Sequence, residues 1–212
     1  MTLSIIIITV VTIVLVAIIW RLASRRQNLP CPVWLHWLVE LDNPFTKTNR
    51  AAYIIETLEL SSGMTVLDAG CGPGRLTVPL AQCVGPDGRI VALDMQPGML
   101  VRARARTEAA GYTNVEFIAA ALGDGKLPAN HFDRVVLVTV LGEILNRAEA
   151  FSELFNTLKP GGILAIVEVI FDPHFQTRGT VTGLAVSSGF RERAFFGHKL
   201  AYIIHFEKPD TG

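Results

Sequence analysis

The first twenty residues of the chain form an uninterrupted apolar segment. Residues 1–20 contain no charged side chain, and residues 3–20 are almost entirely aliphatic. A helix rises 1.5 Å per residue, so this segment is just long enough to cross the roughly 30 Å hydrocarbon core of a bilayer. A cleaved signal peptide is the alternative, but it requires a basic residue before a shorter apolar run and small residues at the cleavage site. We therefore expect an uncleaved transmembrane helix.

After residue 50, short apolar runs alternate with segments of helical periodicity. Apolar runs bounded by glycine, proline or polar clusters predict strands at 65–68, 89–94, 115–118, 135–140 and 163–169. Apolar positions three and four residues apart predict helices at 50–60, 76–83, 99–110 and 148–158. The last of these helices is expected to stop at the sequence Lys-Pro-Gly-Gly, residues 159–162. Repeated strand–helix units with unbroken apolar strands imply a parallel sheet that helices cover on both faces.

The C-terminal part of the chain follows a different pattern. It predicts a helix at 180–188 and strands at 190–196 and 200–207, which are joined by a short turn at 197–199. Two strands joined so tightly must be antiparallel. The predicted fold is a doubly wound, Rossmann-like α/β domain with a mostly parallel seven-stranded sheet and a last antiparallel strand. The expected division is an anchor and basic flank at 1–26, a linker at 27–49 and the main domain at 50–212.

The distribution of charge sets the expected orientation and partners. Arg21, Arg25 and Arg26 follow the apolar segment directly while no basic residue precedes it, which predicts that the rest of the chain is cytoplasmic. Half of all residues are hydrophobic and mean hydropathy is +0.39, which favours a membrane-inserted segment. Beyond residue 26 there remain 16 basic and 19 acidic residues, a net charge of −3. A mildly acidic domain is a poor nucleic-acid binder, so we expect no such partner.

Cysteine use and the linker add two further expectations. Cys31, Cys71 and Cys83 are too few and too scattered for a disulfide framework or a zinc site, so we expect a reducing compartment and no metal. The prolines at 30 and 32 break any helix that continues from the anchor. Residues 33–39 are apolar with two tryptophans, which is typical both of an element at the lipid headgroups and of one packed on the main domain.

A glycine-rich loop follows the first predicted strand. Asp68 is followed by Gly70, Gly72 and Gly74, and a helix begins directly after them. Glycines permit a tight turn and let a ligand lie against bare backbone at the N-terminus of a helix. The dinucleotide-binding fingerprint requires glycine at position 75, which is Arg75 in this chain, so a pyrophosphate-binding loop is disfavoured.

An acidic residue ends the second predicted strand. Asp94 lies twenty residues beyond Gly74, which brings its carboxylate beside the glycine loop at the carboxyl edge of the sheet. A carboxylate in this position can accept hydrogen bonds from both hydroxyls of a ribose. The alternative is a turn-forming or helix-capping aspartate. The combination of Asp94 with Asp68 and three glycines favours the ligand-binding interpretation.

Together these motifs resemble the class I S-adenosylmethionine-dependent methyltransferases, and the resemblance covers roughly residues 50–209. It is carried by residues 66–74, 92–100, 132–133 and 158–162. It implies the cofactor S-adenosylmethionine (SAM) and a methyltransferase activity. The resemblance places Asp68 near the methionine amino group, Asp94 on the ribose hydroxyls and Met95 on one face of the adenine. The loop beneath the cofactor would be shaped by Gly70, Cys71, Gly72 and Gly74.

The resemblance also implies that the segment after the third strand contacts the adenine. Relatives often carry an acid there that binds the adenine amine, and the corresponding position falls near Ala121 and Leu122. Either Asp124 takes this role through a shifted loop, or backbone amides do.

Methyl transfer from a sulfonium is an in-line displacement with a neutral leaving group, so positioning and desolvation supply most of the rate. A general base helps only when the acceptor must lose a proton. The candidates are Glu143, where relatives often carry histidine, and His174, beyond the fifth strand. An acid favoured by a helix dipole is an equally good interpretation of Glu143.

The short connection after the fifth strand bears on the acceptor. Only residues 170–179 lie between that strand and the next helix, so we expect the tethered segment 30–50 to roof the pocket. This arrangement favours a small lipophilic acceptor, such as a quinone precursor, a phospholipid amine, or a small thiol or phenol. Two other functions are considered: a nicotinamide-dependent oxidoreductase on the same fold, and a membrane-tethered cofactor-binding protein without turnover.

Overall fold

The computed structural model describes residues 46–210, with eight residues further upstream: Ile5, Ile7, Ile8, Thr9, Val11, Thr12, Leu15 and Val33. The seven described residues between 5 and 15 are helical and exposed. No helix within the described part of the chain is both long and apolar enough to cross a bilayer. The predicted anchor and most of the linker lie outside the described residues and stay predictions.

The main domain is built on one mixed sheet. In the described residues it has seven strands in the order β3-β2-β1-β4-β5-β7-β6. The strands are β1 Thr65–Ala69, β2 Arg89–Asp94, β3 Val115–Ala119, β4 Phe132–Val138, β5 Leu158–Val169, β6 Arg191–His198 and β7 Ala201–Glu207. Strands β1 to β5 pair in parallel, whereas β7 is antiparallel to both β5 and β6. The predicted Rossmann-like sheet with an antiparallel strand near its end is confirmed.

Helices cover both faces of this sheet. They are α1 Ala51–Leu58, α2 Thr77–Val84, α3 Pro97–Ala109, α4 Arg147–Thr157 and α5 Arg178–Ser187. Side chains alternate along a strand, so β1 places Leu67 in a core with α4 and α5 and Val66 in a second core with α1 and α2. These two apolar layers bury most of the central strands, as the unbroken apolar runs indicate, whereas β3 and β6 at the sheet edges stay partly exposed.

Strand β5 begins five residues earlier than the predicted start at 163. The sequence Lys-Pro-Gly-Gly belongs to the strand, because its groups have partners on neighbouring strands. The Nζ atom of Lys159 lies 2.8 and 2.9 Å from the two carboxylate oxygens of Asp133. The N–H of Gly161 donates to the carbonyl of Lys208, and the N–H of Lys208 donates to the carbonyl of Gly162. Long-range pairing thus overrides the local stop signal.

Other strand boundaries also differ from the prediction, and those of β4 and β6 differ most. Strand β4 begins three residues before the predicted residue 135. Strand β4 runs from Phe132 to Val138, so residues 139 and 140 of the predicted strand belong to the following loop. Strand β6 continues to His198, so the turn lies at residues 199–200 and not at 197–199. The end of β4 has a physical cause: Thr139 has a left-handed backbone with φ of +55°, which ends the extended conformation.

Candidate cofactor and acceptor site

The glycine loop leaves β1 and turns sharply under the carboxyl edge of the sheet. The backbone N–H groups of Gly70 and Cys71 both donate to the carbonyl of Leu93, at 2.7 and 3.0 Å. Gly70 has a φ of +75°, and a Cβ atom at this position would collide with the side chain of Val140. Only glycine therefore permits both the turn and the close approach of the loop after β4.

Asp94 links this loop to the end of β2. Its side chain is buried, with Oδ2 accepting from the N–H of Gly72 at 2.9 Å and Oδ1 accepting from the N–H of Gln96 at 2.8 Å. Burial raises the pKa of this carboxyl, and the two backbone hydrogen bonds oppose that shift. Each carboxylate oxygen retains a further lone pair. The geometry therefore fits a carboxylate that shapes the loop and accepts from a pair of ligand hydroxyls.

Asp68 lies buried at the end of β1, on the other side of the glycine loop. Its Oδ2 accepts from the hydroxyl of Thr77 at 2.7 Å. Burial raises the pKa of Asp68 to about 6, while the Thr77 hydrogen bond and the charge of Arg75 lower it. A ligand ammonium group nearby would stabilise the ionised form. The supporting role of Thr77 was not recognised in the sequence, although a threonine in the first turn after a glycine loop is a readable signal.

Arg75 occupies the position at which a dinucleotide-binding loop has glycine. Its Nη1 and Nη2 atoms donate to the backbone carbonyl and to the side-chain Oδ1 of Asn49, at 2.7 and 3.1 Å. Asn49 belongs to the 3₁₀ turn Lys47–Asn49, which precedes α1. Arg75 therefore holds the incoming chain, the segment 46–50 that precedes α1, beside the cofactor loop.

The adenine side of the site is more open. Met95 is exposed, whereas Leu122 and Cys71 are buried. The N–H of Ala121 donates to the Oδ2 atom of Asp124 at 3.0 Å, so this carboxylate closes its own loop. Burial also raises the pKa of the Cys71 thiol, which keeps it neutral beside the two aspartates. A carboxylate can accept more than one hydrogen bond, so this contact leaves open both arrangements considered for the adenine amine.

The loop after β4 is called the acceptor side here, because the resemblance predicts that the acceptor meets the methyl group there. Thr139 is a β-branched residue with positive φ, a conformation that costs about 1–3 kcal/mol and occurs most often at functional sites. Its N–H donates to the carbonyl of Val167 at 2.9 Å, which holds the strained residue in place. Val140 follows and packs on Gly70. This strain cannot be predicted from the sequence, because threonine and valine after an apolar run are typical of two further strand residues.

The two candidate bases lie on loops that meet. Glu143 ends the 3₁₀ helix Leu141–Glu143 and is half-buried. His174 is buried on the loop after β5, and its backbone packs so closely on Gly142 that a Cβ there would collide with it. The contact brings together the two loops on which the sequence predicts the acceptor to bind. The catalytic roles of Glu143 and His174 stay predictions.

Comparison with known proteins decides the family. A family sequence model described as "Methyltransferase domain" matches residues 60–189, which include the glycine loop, Asp94 and the loops after β4 and β5. The chain belongs to the SAM-dependent methyltransferases. Its cofactor is SAM, and the family replaces the nicotinamide-dependent oxidoreductase considered from the sequence. The structure brings the predicted cofactor residues together, with buried Asp68 and Asp94 beside the glycine loop.

Two of the similar curated proteins are named as methyltransferases that act on different acceptors. The methyltransferase is 38% identical over 116 residues to the ubiquinone/menaquinone biosynthesis C-methyltransferase UbiE of Pseudomonas putida (strain GB-1), which covers 53% of this chain and 45% of the relative. It is 33% identical over 128 residues to a protein-L-isoaspartate O-methyltransferase of Ignicoccus hospitalis, which covers 60% of this chain and 57% of the relative. The chain spans about half the length of these relatives.

Solved structures share the fold. A SAM-dependent methyltransferase from Aquifex aeolicus superimposes with a TM-score of 0.74 at 21% identity, which covers 84% of this chain and 98% of that one. A phosphoethanolamine-type N-methyltransferase of Haemonchus contortus, solved with S-adenosylhomocysteine, gives 0.64 at 15% identity, which covers 76% of this chain and 52% of that one. These similarities establish the architecture alone.

Proposed function

We propose that this methyltransferase transfers the methyl group of SAM to a small lipophilic acceptor, and that a reduced quinone precursor is the first candidate. The observation that carries the proposal is the exposed apolar rim around the acceptor side of the pocket, defined below. The similarity to a quinone C-methyltransferase over about half of the chain supports the same acceptor class.

The cofactor would be held by the residues of the glycine loop and its two carboxylates. Asp94 would accept from the ribose hydroxyls, and Asp68 would face the methionine ammonium group. Exposed Met95 would cover the adenine, with Ala121 and Leu122 at its far edge. When bound, SAM supplies an electrophilic methyl group on a sulfonium. The chain contributes orientation and exclusion of water, which are the main sources of rate in such a displacement.

The apolar rim consists of three exposed side chains on three neighbouring loops. Leu145 follows β4 and is 81% exposed, Phe171 follows β5 and is 65% exposed, and Leu200 lies in the β6–β7 turn and is 42% exposed. The N–H of Ile170 donates to the carbonyl of Leu200 at 2.7 Å, which joins the last two loops. All three lie at the carboxyl edge of the parallel strands, where the cofactor loop also lies. Such a rim suits an acceptor that arrives from an apolar phase.

The incoming chain reaches the domain at the same edge. Thr48 lies against the β6–β7 hairpin, because its Cγ2 atom is 2.8 Å from the position that a Cβ atom on Gly197 would take. Arg75 holds Asn49 beside the cofactor loop. Upstream, Val33 lies 3.2 Å from the Cβ position of Gly98, near the start of α3. A single-pass anchor in residues 1–20, with the catalytic domain on the cytoplasmic side, would hold the apolar rim against the bilayer. A membrane-partitioned acceptor would then enter the pocket directly.

A base is required only if the acceptor loses a proton during transfer. A quinol ring carbon or a phenol does so, and half-buried Glu143 lies on the loop nearest the predicted acceptor. His174 would line the same side from the neighbouring loop. The residues give no reason to invoke a metal, because the leaving group of the transfer is neutral.

Incubation of the full chain with radiolabelled SAM in lipid nanodiscs tests the proposal. The probes are a prenylated naphthoquinol without its ring methyl, phosphatidylethanolamine, and a water-soluble phenol. We expect label in the naphthoquinol, and we expect Asp94→Ala to reduce it at subsaturating SAM. Label in the water-soluble phenol alone, with no lipophilic product, would refute the lipophilic acceptor while leaving the family intact.

A further inference from the structure

Glu168 is a buried carboxyl that the proposed chemistry does not use. It is the penultimate residue of β5 and is 1% exposed, among the apolar side chains of the core between the sheet and helices α4 and α5. Its Oε2 atom accepts from the N–H of Gln176 at 2.8 Å. Its Oε1 atom is buried and has no hydrogen-bond partner among the described residues. A buried polar atom left in this state is costly, and it calls for an explanation beyond packing.

The partner of Glu168 is the centre of a wider network. The carbonyl of Gln176 accepts from the hydroxyl of Tyr202 on β7 at 2.8 Å, and its side-chain Nε2 donates to the carbonyl of His174 at 2.6 Å. Its Oε1 atom accepts from Nη1 of Arg147 at 3.3 Å. Gln176 therefore ties the loop after β5 to the sheet beneath it and to the first residue of α4.

Arg147 extends the network to the other loop. Its Nε and Nη2 atoms donate to the backbone carbonyls of Leu141 and Gly142, both at 3.1 Å. These carbonyls belong to the 3₁₀ helix that carries Glu143. One chain of contacts, from Glu168 through Gln176 to Arg147, thus spans both loops of the acceptor side.

We propose that Glu168 is a positioning residue that sets the relative placement of the two acceptor-side loops through Gln176 and Arg147. The inference rests on the methyltransferase function but on no particular acceptor. Glu168 itself is buried beneath the loops, so it acts through them and does not contact the cofactor or acceptor.

The protonation state of Glu168 makes this role measurable through its dependence on pH. Burial raises the pKa of Glu168 to about 8, with the negative charge of Asp172 adding to the shift and the Gln176 N–H and the positive charge of Arg147 opposing it. Tyr202 on β7 and Arg178 on α5 are further titratable groups of this region, and buried His174 lies two residues before Gln176. Glu168 is therefore neutral at pH 7 and becomes ionised at alkaline pH.

Ionisation acts on the two loops in opposite directions. A carboxylate accepts more strongly than a neutral carboxyl, so the hydrogen bond from the N–H of Gln176 tightens. The same charge attracts the guanidinium of Arg147 and weakens its bonds to Leu141 and Gly142. The loop after β5 is then held more firmly, and the loop after β4 less firmly.

Hydrogen–deuterium exchange of the full chain, corrected for intrinsic rates, tests this between pH 7 and 9.5. We expect protection of the Gln176 amide to increase about five- to tenfold and that of the Glu143 and Ile144 amides to fall by a similar factor, the change expected for one hydrogen bond. Both changes should be centred near pH 8 and should be absent in Glu168→Gln, which stays neutral while retaining an acceptor oxygen.

Two further variants complete the test. Glu153→Gln is the matched control, because Glu153 also accepts from backbone amides, those of Gly123 and Leu127, but on a different loop. It should leave the pH response at Gln176 unchanged. Arg147→Lys should lower protection at Glu143 at every pH. Identical pH responses in the parent chain and Glu168→Gln, or no response in the parent chain, would overturn the proposal. Exchange does not depend on an acceptor, so failure of the naphthoquinol assay would leave this result intact.

Discussion

The two halves of the site are built in different ways. On the cofactor side, the glycine loop, Asp68 and Asp94 lie within 27 consecutive residues at the ends of two neighbouring strands. On the acceptor side, the loops after β4 and β5 and the β6–β7 turn come from segments far apart in sequence. The first half is specified by a compact motif, whereas the second depends on how distant elements pack.

This difference has a chemical reason. The cofactor is constant across the family, so its site is made of backbone amides and two carboxylates whose placement a short motif can fix. Acceptors vary, and the loops that meet them are held by contacts such as those of Arg147 and Gln176, which no local pattern encodes. Variants on the cofactor side should therefore change cofactor affinity, whereas variants on the acceptor side should change the stability and amide exchange of its loops.

The largest effect is expected at Gly70, where the cofactor side touches Val140 of the acceptor side. Gly70→Val places a side chain in the space of Val140 and forces a β-branched residue to adopt a φ of +75°. We expect S-adenosylhomocysteine affinity to fall by more than about 100-fold, measured by calorimetry. Gly111→Val is the control, because Gly111 also has positive φ but has open space around it, so it should affect folding stability alone. Equal affinity in the Gly70 variant would mean that the loop does not carry the cofactor.

A smaller loss is expected at Asp94. Replacement by alanine removes the acceptor for the Gly72 and Gln96 amides as well as the predicted ribose contact. We expect cofactor binding to weaken by about 1–3 kcal/mol, the scale of a lost charge-assisted hydrogen bond. Asp124→Ala, which opens only the loop at Ala121, provides the comparison on the adenine side. If Asp124→Ala weakens cofactor binding as much as Asp94→Ala does, Asp124 contributes to adenine binding.

The pH dependence of binding should report Asp68. Its pKa of about 6 in the empty site means that it is neutral below that pH and cannot pair with the methionine ammonium group. Affinity should therefore fall on acidification through pH 6, by up to about tenfold per pH unit. Asp68→Asn should bind more weakly at pH 7.5 and show a flatter profile between pH 7.5 and 5. A profile as steep as that of the parent chain would assign the titration to another group, with Asp94 the first alternative.

Acidification is expected to change folding stability in the opposite direction from cofactor affinity. Because the pKa of Asp68 is raised above its value of 3.8 in an unfolded chain, its contribution to stability is fully present below pH 3.8 and is lost as the pH rises through 6. Asp68→Asn should therefore raise the denaturation midpoint of the cofactor-free protein at pH 7.5. The same residue then weakens the fold and strengthens the binding, which is typical of a functional site.

Prediction from sequence succeeded where the signal was local. The order of the main-domain helices and strands, the antiparallel end of the sheet and the glycine-loop motif all follow from periodicity and short motifs. Boundaries failed where distant partners decide them: β5 begins at Leu158 because Lys159 pairs with Asp133 and the glycines pair with the chain near Lys208. A local stop signal contains no information about such partners.

The acceptor side shows the same limit more strongly. In the sequence, Glu168 is one polar residue in an apolar strand. Its proposed role is visible only in the structure, where it accepts from Gln176, which in turn contacts Arg147 and Tyr202. The contact of Arg75 with Asn49 depends on where the segment before α1 lies, which no local pattern specifies. The motifs thus name the candidate cofactor residues, whereas residues that tertiary packing brings to the site carry no signal in the sequence.

The smallest expected effect concerns the strained residue of the acceptor side. Thr139→Gly removes a β-branched side chain from a left-handed backbone, and with it the hydroxyl hydrogen bond to the carbonyl of Val138. Relief of strain should exceed the loss of that local bond, so the free energy of unfolding should rise by about 1 kcal/mol, measured by urea denaturation. Cofactor affinity should stay within about twofold, since Val140 still packs on Gly70, whereas exchange at Glu143 should quicken because glycine frees the loop. Destabilisation by a similar amount would show instead that the lost hydroxyl hydrogen bond and the greater freedom of glycine in the unfolded chain outweigh the strain at Thr139.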